Sequence, residues 1–113
     1  MKPINSRAKG QRAEREFRDL LRAEGWNDAR RGQQFRGGVD SPDIVCPSLD
    51  GFRIEVKHQE RVNLAQWMAQ IERDAGAEKT PILAMRRNGL PFVISMRAET
   101  FFRLLSAYME KNG

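Results

Sequence analysis

From Phe52 to Gln59 the chain alternates without a break: Phe52, Ile54, Val56 and His58 on one side, Arg53, Glu55, Lys57 and Gln59 on the other. Successive side chains of a strand point to opposite faces, so this stretch reads as a half-buried β-strand. One strand cannot bury its own apolar face. The remainder of the chain must therefore supply sheet neighbours and a helical layer to cover it.

Both are legible. Residues 6–24 read as a helix capped by Asn5 or Ser6 and stopped at Gly25, with Ala13, Phe17, Leu20 and Leu21 forming a buried stripe at helical spacing. A short strand is expected over 26–31, then a glycine-rich loop over 32–42 leading to Asp43. Residues 44–46 read as a strand joined to 52–58 through a turn at 47–51, where Asp50-Gly51 is the strongest local signal. A second helix spans 64–75, capped by Asn63 with Gln66 three residues on and ended by Gly76; Leu64, Trp67, Met68 and Ile71 form its apolar face. Strands at 81–85 and 92–95 flank the Asn88-Gly89 turn. A helix over 97–109 presents Phe101, Leu104, Leu105 and Tyr108. This order predicts one α/β domain over residues 1–113, with a mixed central sheet flanked by helices. Phe35, Phe92 and Phe101 are candidates for either core or interface.

The apolar runs are far too short to span a bilayer, and no apolar N-terminal segment resembles a secretory signal, so a cytoplasmic location is expected. Cys46 is the only cysteine and reads as a buried structural thiol. The formal charge is +5 with a pI near 10, and it comes mainly from arginine. Guanidinium groups grip phosphate in a bidentate fork, so a polyanion is the expected partner. Arg7, Arg15, Arg18 and Arg22 stack along one side of the first helix beside its apolar stripe.

The chemistry concentrates where Asp43 opens the hairpin partner of the alternating strand. A short hairpin can set Asp43 beside Glu55, with Lys57 on the same face. Two converging carboxylates are costly unless a cation neutralises them, and oxygen donors without a Cys/His cluster favour Mg²⁺, with Mn²⁺ as substitute, over zinc. His58 falls on the apolar face and reads as structural; Trp67 and Met68 read as core.

Pro42-Asp43, followed after the eleven residues 44–54 by Glu55-Val56-Lys57, resembles the PD-(D/E)XK nuclease superfamily. Upstream, Lys9-Gly10-Gln11-Arg12-Ala13-Glu14-Arg15, then Gly25-Trp26 and Arg30-Arg31, is similar to the opening of archaeal-type Holliday junction resolvases and their phage-encoded relatives. The likeness covers most of the chain in order. It implies a restriction-endonuclease-like core and a Mg²⁺-dependent DNA endonuclease whose cuts leave a 5′-phosphate and a 3′-hydroxyl. It further implies that Asp43 and Glu55 bind the metal with the Val56 carbonyl, that Glu14 is a helix-borne acid reaching it directly or through water, and that Lys57 is catalytic. Arg7, Lys9, Arg15, Arg18, Arg30, Arg31, Gln33 and Arg36 are then assigned to phosphate contacts, with Gln59 and Gln70 as further candidates. Resolvases of this kind carry a serine in the loop that here reads Gly32-Gln33-Gln34. A branched, two-fold symmetric DNA would suit a homodimer. Two alternatives stay open: a general duplex or flap nuclease, and a noncatalytic DNA-binding module of the same fold.

Overall fold

The computed structural model describes residues 6–32 and 42–112. The elements run α1 (Ser6–Ala23), β1 (Arg30–Arg31), β2 (Ile44–Val45), a 3₁₀ turn (Pro47–Leu49), β3 (Phe52–His58), α2 (Leu64–Ala75), β4 (Thr80–Arg86), β5 (Val93–Ser95) and α3 (Ala98–Asn112). The sheet has the order β1-β2-β3-β4-β5. Its one parallel pair is β3 with β4, as α2 connecting them requires; the other neighbours are antiparallel. This is the mixed, helix-flanked α/β sheet that the order of elements predicts. Among the described residues, no helix is long and apolar enough to cross a membrane.

Each face of the sheet has its own helix. Ala13 and Phe17 of α1 pack on Ile54, Val56, Ile82 and Ala84, the side of β3 that alternation assigns to the core. Phe92 joins them, its ring edge-on to Phe17 at 5.2 Å between centroids. On the opposite face, Trp67, Met68 and Ile71 of α2 close over Leu83, which is fully buried. The α2 boundaries match those expected. Asn63 caps the helix by accepting from the Gln66 N–H, and its own amide donates to Gln66 Oε1 at 2.7 Å. Asn63→Ala should therefore cost about 1 kcal/mol of stability in a denaturant titration, with Asn63→Gly costing only a few tenths.

Three expectations need correcting. The strand expected over 26–31 shrinks to Arg30–Arg31, because α1 ends in a Schellman turn: Gly25, at φ 104°, donates to Arg22, and Trp26 donates to Leu21. Asp28 is then drawn to the 3₁₀ turn, accepting from the Ser48 N–H at 2.7 Å, the Ser48 hydroxyl at 2.6 Å and the Cys46 thiol at 3.1 Å. These hydrogen bonds, led by the Ser48 hydroxyl, hold its carboxyl down to about 2. Burial and Asp28 together push the Cys46 thiol up, as befits a structural cysteine. Leu20 is half-exposed, since the buried line of α1 runs through Ala13, Glu14 and Phe17 toward Leu21 and leaves Leu20 at its edge. Finally, α3 buries only Thr100. With α1 and α2 already on the two faces of the sheet, the apolar side of α3 has no place in either core cluster among the described residues and is exposed.

Candidate active site

The register of the β2–β3 hairpin brings the two expected carboxylates together. Ile44 pairs with Ile54, so Asp43 comes opposite Glu55. The Asp43 N–H donates to Glu55 Oε2 at 3.2 Å, and the Val56 N–H donates to Asp43 Oδ2 at 2.9 Å. Gly32 seats the start of this strand: its N–H donates to the Asp43 carbonyl at 3.0 Å. A Cβ on Gly32 would lie 1.8 Å from the Pro42 carbonyl oxygen, so this close approach of two backbones admits only glycine.

Glu55 accepts from the Arg53 Nε at 2.9 Å, and both side chains are nearly buried. Burial first, then the adjoining Asp43 carboxylate, push Glu55 up to about 8 against the opposing pull of Arg53. Glu14 comes from α1, buried and ion-paired with Arg31 Nε at 3.1 Å. Burial and the negative charge of Asp43 raise its pKa too, while Arg31 pulls it down. Glu14 is thus within electrostatic reach of Asp43. Among the described residues, however, no three His, Cys, Asp or Glu side chains gather into a ready-made metal cage. Arg31 and Arg53 hold Glu14 and Glu55 instead.

Lys57 shares the polar face with Glu55, as alternation predicts. Its ammonium lies over the Trp67 ring of α2, 5.7 Å from the centroid, so the buried Trp67 also orients Lys57. Asp43, Glu14, Lys57 and the Val56 backbone line one cleft of about 580 Å³. Cationic Arg7, Lys9 and Arg61 line it too, together with Gln59 and Glu60. His58 lines the same cleft, but its ring nitrogen is engaged with Asn88 Oδ1 at 2.9 Å.

The remaining candidates are placed less directly. Arg15 is exposed on α1 and close enough to lower the proton affinity of Glu14; Arg30 is exposed on β1. Arg18 is paired with Asp19, and the Gln70 amide is committed to Asp74 and Arg73; neither lines the cleft. Gln33 and Arg36 lie outside the described residues. The ion pairs of Arg53 and Arg31 were not anticipated from the sequence. Arg53 left a signal, standing two residues before Glu55 on the same face; nothing in the sequence ties Arg31 to Glu14.

The donors suit a hard divalent cation. The carboxylates of Asp43 and Glu55 come side by side, and the negative charge of Asp43 raises the proton affinity of both Glu14 and Glu55, a repulsion that a divalent cation would relieve. A family model described as "Phage putative PDDEXK endonuclease" matches residues 5–112. No curated protein and no solved structure matches the chain. Nucleases of this kind generally use divalent metal ions and are built on the α/β sheet found here, a restriction-endonuclease-like core. With that model spanning nearly the whole chain, the protein belongs to the phage PDDEXK endonuclease family.

Proposed function

We propose that the chain is a Mg²⁺-dependent DNA endonuclease, with Mn²⁺ able to substitute, acting as a homodimer on branched DNA of the four-way-junction type. The observation that carries the chemistry is the locking of Asp43, which lines a cleft together with Lys57, Arg7 and Lys9, against the nearly buried Glu55 beside it.

Asp43 and Glu55 are the ligands in this reading, with the Val56 carbonyl beside them and Glu14 reaching in directly or through water. Held there, a divalent cation would supply neutralising charge at the scissile phosphate and lower the pKa of the attacking water. Lys57, steadied by Trp67, orients the water or offsets charge on the phosphate oxygens as it builds. Arg7 and Lys9 hold the backbone of the strand to be cut, with Arg61 and Gln59 across the cleft. Arg15 and Arg30 extend the phosphate track, while Arg31 stays paired with Glu14. Water adds to phosphorus and the bond to the 3′ oxygen breaks, leaving a 5′-phosphate and a 3′-hydroxyl.

A labelled four-way junction and a matched linear duplex, each incubated with Mg²⁺ or EDTA, test this. Paired cuts in the junction alone, absent in EDTA, are expected. Equal cutting of the duplex would keep the chemistry and replace the branched substrate with general duplex or flap processing. Tight binding with no metal-dependent cutting would point to a noncatalytic DNA-binding module.

A further inference from the structure

The helix α3 is formed over fifteen residues, yet among the described residues only its Thr100 is buried. Isolated helices of this length are marginal in water and owe most of their stability to packing of an apolar face. Its side chains are arranged for such packing. At 100° per residue, Phe101, Phe102, Leu104, Leu105, Tyr108 and Met109 fall on one broad arc, with Glu99, Arg103 and Glu110 opposite. All six are between 40% and 63% exposed. The molecule measures 55 × 29 × 28 Å, so its long axis exceeds the others by roughly the ~22 Å length of such a helix, as an arm would make it.

We propose that the apolar side of α3 is a self-association surface, and that its occupant is the same surface of a second copy of this chain. Area is the first argument. At about half exposure each large side chain offers on the order of 100 Å², so the six on α3 offer roughly 600 Å² per copy, at the lower end of what each partner of a stable interface contributes.

Charge is the second argument. Two copies at +5 repel one another over most of their surfaces, but Glu99, Arg103, Glu110 and Lys111 leave α3 with no net charge. The arm is thus where two copies approach with least cost, and it lacks the basic flank with which an amphipathic helix holds an anionic lipid surface. Position is the third. The root of α3 sits by Glu72 and Thr80, with Arg97 donating to Glu72 at 3.0 Å. Thr80 pairs with Phe52, at the start of β3, whereas the cleft lies toward the other end of that strand. Contact between arms leaves both clefts open. The homodimer proposed above rested on the symmetry of a junction; this surface rests on α3 and holds whatever DNA is cut.

Sedimentation equilibrium of the full chain, without DNA or metal, tests the surface independently of nuclease activity. A dimer is expected at micromolar concentration. Phe101→Glu combined with Leu105→Glu should weaken it by at least ~100-fold, as loss of two central anchors does. Neither residue packs on the sheet, so the circular dichroism of the variant should remain that of a folded α/β chain. A parent chain that stays monomeric, or a double variant that stays dimeric, overturns the proposal; a monomer that gains a dimension-matched lipid or protein partner through α3 overturns it equally.

Discussion

Asp43→Asn is expected to lower metal-dependent DNA cleavage by about two to three orders of magnitude while leaving DNA binding in EDTA intact or tighter. Asparagine keeps an oxygen that can accept from the Val56 N–H, so the hairpin retains the bond that now runs to Asp43 Oδ2. What disappears is one negative charge. Its loss removes a ligand from the proposed metal site, and it also relieves the repulsion that raises the proton affinities of Glu14 and Glu55. The variant should therefore fold at least as well as the parent, and a rate loss cannot be assigned to unfolding. Arg7 and Lys9 remain in place, and with less negative charge on the cleft floor the phosphate backbone should bind no more weakly. Asp43→Ala goes further by orphaning the Val56 N–H, at a cost of about 1–3 kcal/mol. Single-turnover cleavage with Mg²⁺ and a filter-binding titration in EDTA separate the two effects. Cleavage by the Asn variant within about tenfold of the parent would sink the assignment of Asp43 as a ligand.

The parts of this molecule legible in its sequence are those fixed by local periodicity. Alternation placed β3 at its observed ends, the Asn63 cap and Gly76 bounded α2, and the Asp43–Glu55 juxtaposition followed from one short hairpin. Contacts between elements far apart in the chain were not legible. Glu14 and Arg31 meet across seventeen residues because α1 crosses the sheet beside β1. Lys57 meets Trp67 because α2 covers the polar face of β3, which gives a residue read as core a second task. The apolar spacing of α3 correctly announced an amphipathic helix. It could not say that the sheet would have no face left to receive it, since that depends on where α1 and α2 settle. Charge was misleading in the same way. Arg31 and Arg53 each count toward a basic, DNA-seeking surface, yet both are spent in the structure on acids of the cleft.

Glu55→Gln should have opposite effects on stability and on activity, and pH should reveal both. Glu55 is carried up to about 8, by burial first and then by Asp43, against an ordinary value of 4.5. Between those two values the folded, metal-free chain holds a proton that the unfolded chain has lost. Because stability falls with rising pH wherever the native state binds more protons, the metal-free parent should lose stability as pH climbs from about 4.5 to about 8 and then level off. Glutamine resembles the protonated carboxyl and does not titrate. The variant should lack this component of the slope and unfold at higher temperature than the parent near pH 8 in EDTA; the attraction of Arg53 is already counted against the upward shift. A divalent cation reverses the comparison. For the parent, binding must expel the proton, so affinity should rise up to about tenfold per pH unit below pH 8, and calorimetry in buffers of different ionisation enthalpy should detect proton release. The glutamine variant should release none, and should lose metal affinity and cleavage together by about a hundredfold or more. The acid that makes the proposed site work is then one that the empty fold would be better without, as expected where catalysis rather than packing dictates the residue. A glutamine variant less stable than the parent at pH 8 in EDTA, with metal affinity in the parent independent of pH, would show that Glu55 serves the fold instead.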